Sequence, residues 1–171
     1  MAGYEMTFLR EGGIEAKAFR EAVIKARDLL ELEGGYSLQD IKAGGYGANE
    51  LHGPGKNFSA AELRDGGNGY SARQLFDGGY TIQNLFEGQY TAHELRLYAF
   101  KARQLFDGGY SVAQMKEGGF LASQLRDDKF MAEQLREGGY LGKELTKAGY
   151  TVSELREGGY DASTLREESF L

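Results

Sequence analysis

Large apolar side chains recur every ten residues along nearly the whole chain, in pairs that stand five positions apart. The segments SARQLFDGGY (71–80), TIQNLFEGQY (81–90) and TVSELREGGY (151–160) show the pattern clearly. If each segment is numbered one to ten, position two is mostly Ala, position five is usually Leu and position ten is usually aromatic. Sixteen copies run from Glu5 to Phe170, of which thirteen have ten residues and three have twelve (25–36, 47–58 and 59–70). A period this complete indicates a tandem-repeat protein.

Each copy carries the start and stop signals of a short α-helix. Ser or Thr at position one and Glu or Gln at position four form a capping box, as in Thr91 with Glu94 and Thr151 with Glu154. Paired glycines two residues after the Leu favour the left-handed conformation that ends a helix. The chain is therefore predicted to be all-α, and its helices must stack because helices of roughly two turns are unstable alone in water.

A β-solenoid is the alternative, because glycine pairs at fixed spacing resemble those of calcium-binding β-rolls. Such rolls need Asp at set positions after the glycines, which this repeat lacks, and the chain has only three Val and four Ile. We therefore predict an α-solenoid of about sixteen short-helix repeats, a single array over 1–171, with positions two, five and ten in its core.

Several copies depart from this pattern. Ala22-Val23 and Leu97-Tyr98-Ala99 stand where glycines are expected, and Lys25 and Lys101 replace the next Ser or Thr cap. Losing a stop and a start together predicts fused helices. The predicted fused helices cover about 15–32 and about 92–107, with a weaker case across 122–136. Turn insertions are predicted near 53–57 and 66–69.

Composition excludes several classes of function. The net charge is −6 and no basic run stands out, which argues against nucleic-acid binding. There are no cysteines. The N-terminus lacks a signal-peptide core and no apolar run reaches membrane length, so membrane insertion is not expected and a cytoplasmic location is favoured. Asn57-Phe58-Ser59 is a formal glycosylation sequon that we attribute to chance.

Chemistry-bearing residues do not converge in the sequence. Gly55-Lys56 lacks the spacing of a phosphate-binding loop. His52 and His93 occupy different positions of different copies, which argues against a metal pair. No nucleophile, base and orienting group come together, so we expect no catalytic, cofactor or metal site and no enzyme activity.

Charged residues recur at two neighbouring positions of the repeat. Arg or Lys is common at position six and Asp or Glu at position seven, so a regular stack would align them in rows. Such rows could form a charged strip for a partner or a cation. A solvated face with weak ion pairs between repeats is the favoured interpretation.

Four aromatic residues stand at repeat positions that usually hold a basic or polar residue or a glycine. Phe76, Phe86 and Phe106 stand at position six, and Tyr98 stands where a glycine is expected. Clustered exposed aromatics are typical of interfaces, so these four are the predicted partner-binding residues. The alternative is that position six is half-buried in this part of the array.

The repeat resembles decapeptide arrays of the form S/T-A-x-x-L-R/K-x-G/A-G-Y/F in algal, protist and bacterial proteins, as in Val152, Leu155, Gly159 and Tyr160. The resemblance implies a helical scaffold and brings no catalytic residues. The expected function is a non-enzymatic scaffold, either a subunit of a larger complex or a self-assembling polymer. The alternative is a recognition module that binds a peptide or protein through the aromatic cluster.

Overall fold

A computed structural model describes residues 13–21, 25–31, 36–52, 58–64 and 69–161, and these residues contain α-helices and no β-strand. The α-helices, in chain order, are α1 (Ala16–Glu21), α2 (Ala26–Glu31), α3 (Leu38–Ala43), α4 (Ala60–Arg64), α5 (Ala72–Asp77), α6 (Ile82–Glu87), α7 (Ala92–Leu97), α8 (Ala102–Asp107), α9 (Val112–Glu117), α10 (Ala122–Asp127), α11 (Ala132–Glu137), α12 (Gly142–Lys147) and α13 (Val152–Glu157). A 3₁₀ helix, η1 (Ala48–Glu50), lies between α3 and α4. The prediction of an all-α repeat fold is confirmed.

The chain divides into two compact units, Met1–Gln89 and Tyr90–Leu171. Helices α1 to α6 belong to the first unit and α7 to α13 to the second. A single array over the whole chain stays a prediction.

Each regular copy forms a six-residue helix over positions two to seven, which begins with a capping box. The backbone N–H of Thr91 donates to Glu94 Oε2 at 2.6 Å, and the N–H of Glu94 donates to Thr91 Oγ1 at 3.2 Å. Thr151 and Glu154 make the same pair of bonds, at 2.6 and 3.2 Å. The predicted helix starts are therefore confirmed at these copies.

The regular helices end where the position-nine residue takes a left-handed backbone conformation. Gly79 has φ +100°, its N–H donates to the Phe76 carbonyl at 3.0 Å, and the next N–H, of Tyr80, donates to the Leu75 carbonyl at 3.0 Å. This pair of bonds is the Schellman motif. Because the second bond joins position ten to position five, the same motif that ends the helix also brings two core residues together.

Two of the three twelve-residue copies, 25–36 and 59–70, keep this second bond. Tyr36 N–H donates to the Leu29 carbonyl at 3.2 Å, and Tyr70 N–H donates to the Leu63 carbonyl at 2.8 Å. In these two copies the contact between positions five and ten is therefore the same as in the ten-residue copies. The predicted turn insertion at 53–57, with the Asn57 sequon, lies outside the described residues, and of the insertion at 66–69 only Gly69 is described.

Two copies make one coil in each unit, because helices contact those two copies away. In the first unit α1 packs on α3, η1 on α5, and α4 on α6. In the second unit α7 packs on α9, α9 on α11 and α11 on α13, while α8 packs on α10 and α10 on α12. The helices thus form two rows, and each row takes every second copy.

The core contains the residues at positions two, five and ten. The position-five side chains of the regular copies have almost no exposed surface, as with Leu75, Leu105 and Leu135 at 0 %. Position-ten tyrosines bury their rings and donate the hydroxyl to a main-chain carbonyl two copies earlier, as Tyr160 Oη does to Tyr140 at 2.6 Å. The hydroxyl bonds join successive coils along each row, and the sequence pattern did not predict them.

The predicted fused helix over 92–107 is wrong, because α7 ends at Leu97 and α8 begins at Ala102. Ala99 takes φ +60° in place of the missing glycine, and Phe100 N–H still donates to the Leu95 carbonyl at 3.3 Å. The left-handed conformation costs an alanine about 1–2 kcal/mol. Burying Phe100 in the core outweighs that cost, since a large apolar side chain contributes roughly 1.5–3 kcal/mol when buried.

The weaker fusion across 122–136 is wrong for the same reason. Helices α10 and α11 are separate, and Lys129 takes φ +67° between them. The fusion over 15–32 is also wrong, because α1 ends at Glu21, α2 begins at Ala26 and Lys25 lies in neither helix. Residues 22–24 of that junction lie outside the described residues.

Candidate interaction surface

Position-six cations reach the turn that lies two copies further along the chain. Arg96 Nε donates to the Gly118 carbonyl at 2.8 Å, and Arg136 Nε donates to the Gly158 carbonyl at 2.7 Å. These carbonyls stand at helix ends, where four acceptors lack an intrahelical partner and where cations are favoured. The basic row therefore stabilises contacts between coils.

The acidic row at position seven has different surroundings. Asp77 pairs with Arg73 of the same helix at 3.0 Å, and Glu157 accepts a hydrogen bond from Ser153 at 3.0 Å. The position-seven acids of the copies from 71 to 160 are exposed, whereas Arg96 and Arg126 are half-buried. The favoured interpretation as a solvated face fits the acids but is wrong for these cations, which contact turn carbonyls.

The predicted aromatic residues divide between the two units. In the first unit Phe76 is half-buried and Phe86 is 36 % exposed. In the second unit Tyr98 is 42 % exposed and Phe106 is 38 % exposed. Their role in partner binding stays a prediction.

Phe106 also has a place in the internal packing of the second unit. Its ring meets the buried ring of Phe130 edge-on, with centroids 5.3 Å apart. Phe106 takes the place of a position-six cation, and Arg103 from the preceding turn of the same helix fills that role. Its Nη2 donates to the carbonyls of Asp128 and Lys129 at 3.2 Å, and its guanidinium lies 4.3 Å from the centre of the Phe130 ring.

A second exchange occurs at the same contact. Lys101 replaces the Ser or Thr cap of α8 and cannot accept a hydrogen bond. Asp128, which replaces a glycine two copies later, accepts from the N–H of Arg103 in the first turn of α8 at 3.2 Å. Lys101 and Asp128 each predicted a fused helix. In the structure Asp128 instead supplies, from the next coil, a hydrogen-bond acceptor for the helix start where Lys101 has none.

Large apolar side chains occupy three successive capping positions that the sequence pattern reserves for Ser or Thr. Leu121, Met131 and Leu141 are 64, 71 and 51 % exposed. Each keeps half of the capping box, since its N–H still donates to the position-four side chain at 2.6 to 2.9 Å. The side chains cannot return the second bond. The sequence analysis did not predict that these three apolar side chains are exposed. An apolar residue at a capping position was the signal that could have indicated it.

A groove of about 580 Å³ lies beside Met131 in the second unit. Phe130 and the buried ring of Tyr150 line it, and four carboxylates and two cations surround it. The charged residues are Arg126, Asp127, Lys129, Glu133, Glu154 and Glu157. The groove thus combines an apolar side chain with an excess of negative charge.

Hydrogen bonding and burial shift two pKa values in this groove. The Thr151 N–H and hydroxyl donate to Glu154 and hold the pKa of that carboxyl below its usual range, so it stays ionised. Burial raises the pKa of Tyr150 to about 12, with Arg126 opposing this shift and Glu154 adding to it. Burial, with the Glu144 carboxylate, also raises the pKa of Tyr140 well above its usual range.

Within the described ranges, no group of three or more His, Cys, Asp or Glu residues is arranged to hold a metal ion. His52 lies against Tyr80 with ring centres 4.6 Å apart and ring planes tilted by 59°, and His93 Nδ1 lies 3.4 Å from the Gly118 carbonyl oxygen. A helix long and apolar enough to cross a membrane is likewise absent from this part of the chain.

The sequence profile of a family described as a decapeptide repeat region matches residues 57–130 and 99–171, which together cover more than half of the chain. Searches of curated proteins and of solved structures found no match.

Proposed function

We propose that this chain, which belongs to the decapeptide repeat family, is a non-enzymatic scaffold that acts as a subunit of a larger complex or as a self-assembling structural component. The use of the repeat residues supports this proposal. Positions two, five and ten build the core, the tyrosine hydroxyls and position-six cations join coils, and the first and fourth residues begin helices. Little of the repeat is left over for chemistry.

Exposed apolar residues support an assembly role in particular. Val152 is 60 % exposed, whereas the equivalent Ala102, Ala122 and Ala132 are buried. An exposed position-two side chain offers the same kind of surface that successive coils use for one another.

Native mass spectrometry over a concentration series tests the scaffold role. Assembly with itself predicts multimers of the 18.9 kDa chain that increase with concentration. Val152→Asp should then reduce the multimers without changing the circular dichroism spectrum, and Ser153→Asp serves as a matched control at an exposed polar site. A monomer at all concentrations, together with no stable complex in affinity purification, would exclude both forms of the proposal.

A recognition module that uses Phe76, Phe86, Tyr98 and Phe106 is the second candidate. The observation in its favour is the exposure of three of these rings at 36 to 42 %. Phe86→Ala and Tyr98→Ala should weaken capture of a protein partner from extract. Phe106→Ala also removes the edge-on contact with Phe130, so its effect must be corrected for stability. If all variants capture the same partners as the unmodified chain, the aromatic site is excluded.

A further inference from the structure

The groove beside Met131 has a composition that internal packing does not account for. Its walls come from the end of α10 and the turn after it, from the first turn of α11, and from α13 with the residues on either side of that helix. The volume of about 580 Å³ is in the range that holds small ligands or a few side chains. Phe130 and Tyr150 supply apolar surface, and Met131 stands exposed at the edge.

Met131 is unfavourable for the fold at this position. Its N–H donates to Gln134 Oε1 at 2.9 Å, but its thioether cannot cap the first turn of α11, which Ser or Thr would do with a gain of about 1 kcal/mol. The side chain is also 71 % exposed. Natural chains break local rules mainly at functional sites, and flexible Met side chains are over-used at surfaces that bind varied partners.

The charges around the groove favour a cationic occupant. Asp127, Glu133, Glu154 and Glu157 outnumber the two cations. Arg126 is held in place, since its Nη1 donates to the Ala148 carbonyl at 3.3 Å and its guanidinium lies 5.5 Å from the centre of the Tyr150 ring. Four carboxylates against two cations leave an excess of negative charge. The field that a ligand meets is therefore negative.

We propose that this groove binds a peptide segment of a partner protein in which an apolar side chain is flanked by Lys or Arg. The apolar side chain contacts the exposed Met131 thioether, and the cations pair with the carboxylates at the rim. A second copy of this chain fits less well because its net charge is −6. The inference rests on the proposed scaffold role and uses a surface separate from the predicted aromatic residues.

Methionine methyl resonances provide a direct test on the full chain. The chain has four methionines, and the structure describes two of them, Met115 at 0 % exposure and Met131 at 71 %. The probe is the acetylated peptide Lys-Lys-Leu-Lys-Lys, titrated into chain labelled with ¹³C at the methionine methyl groups. We expect the Met131 methyl to shift with saturation and the buried Met115 methyl to stay. The spectrum of Met131→Thr assigns the resonance.

Met131→Thr separates binding from folding because it restores a cap. We expect the variant to unfold at higher urea and to bind the probe about tenfold more weakly. Leu121→Thr makes the same repair outside the groove, so it should raise stability and leave binding unchanged. Glu133→Gln should weaken binding about threefold, and added salt should do the same.

Three results would overturn the groove as a peptide site. They are a Met131 methyl that does not shift, equal binding of Glu-Glu-Leu-Glu-Glu, or unchanged affinity in Met131→Thr. If the probe fails while native mass spectra contain assemblies, the groove is refuted and the scaffold role stands.

Discussion

The two glycines of each turn should respond differently to the same substitution, and Gly138 and Gly139 allow the comparison within one turn. A methyl group added to Gly138 would lie 2.4 Å from Val112 Cγ1 and 2.8 Å from Val112 Cβ, in the helix two copies earlier. A methyl group on Gly139 meets nothing within 4 Å, but the residue has φ +81°. In this turn the glycine at position eight therefore allows close approach of the neighbouring helix, and the glycine at position nine suits the left-handed backbone.

These contacts set the expected magnitudes. Gly138→Ala overpacks a contact between coils and should lower the free energy of unfolding by about 2–3 kcal/mol, since Val112 is stiff at χ1 and buried. Gly139→Ala costs about 1–2 kcal/mol in left-handed strain, and the reduced freedom of the unfolded chain returns about 0.4–1 kcal/mol. We therefore expect a net loss of about 1 kcal/mol for Gly139→Ala.

A double variant tests whether Val112 causes the larger loss. The copy at 141–150 carries Ala148 at position eight, and the copy at 121–130, whose helix packs on it, carries Ala122 at position two. A pair of alanines is therefore a natural combination in this array. Val112→Ala with Gly138→Ala recreates that pair. The double variant should be more stable than the sum of the single losses predicts by about 1–2 kcal/mol.

Urea unfolding followed by circular dichroism measures the three losses. Hydrogen exchange at the Tyr140 amide, which donates to the Leu135 carbonyl at 2.9 Å, measures the local effect in case the array unfolds in stages. An equal or greater loss for Gly139→Ala would refute the division of roles between the glycines. Additive losses in the double variant would refute the contact with Val112 as the cause.

Three further predictions concern contacts between coils. Arg136→Met should cost about 1 kcal/mol in urea unfolding, because it removes the bond to the Gly158 carbonyl; no loss would exclude a structural role for this cation. Tyr150 has its pKa raised above the ordinary value of about 10, so its contribution to stability is complete below pH 10 and is lost towards pH 12. Tyr150→Phe should flatten that part of a pH series of unfolding curves, and an unchanged slope would contradict this. Asp128→Ala should cost about 1 kcal/mol by leaving the Arg103 N–H without its acceptor, whereas Asp128→Asn should cost less in the same unfolding assay.

The repeat unit could be read from the sequence because its signals are local. Capping boxes such as Thr151 with Glu154 form within four residues, and the position-nine glycine acts on its own turn. Contacts between copies two apart left no local signal. The hydroxyl bond from Tyr160 to the Tyr140 carbonyl spans twenty residues, and a Phe at either position gives nearly the same hydropathy pattern.

The fused helices were wrong because a missing local signal was treated as a missing turn. Ala99 and Lys129 adopt a left-handed conformation without glycine, since the core residues on both sides hold them there. The turn and the ten-residue spacing are therefore kept at these two positions, although neither residue favours the conformation that the turn requires. Burial at positions five and ten keeps the turn between them whether or not position nine is glycine, and a glycine there makes the turn less costly.

Departures from the repeat differ in whether another residue of the array compensates for them. Lys101 and Asp128 both break the pattern. Lys101 removes a hydrogen-bond acceptor from the start of α8, and Asp128 supplies an acceptor there by binding the Arg103 N–H, so these two departures need no partner outside the chain. Met131 breaks the pattern at a similar cost, and its exposed side chain receives no such compensation within its coil. A departure for which another residue of the array compensates is structural. Met131 has no such residue and lies beside a charged groove, where a partner can bury its exposed side chain. This distinction favours the Met131 groove over Phe106, whose ring already packs against Phe130.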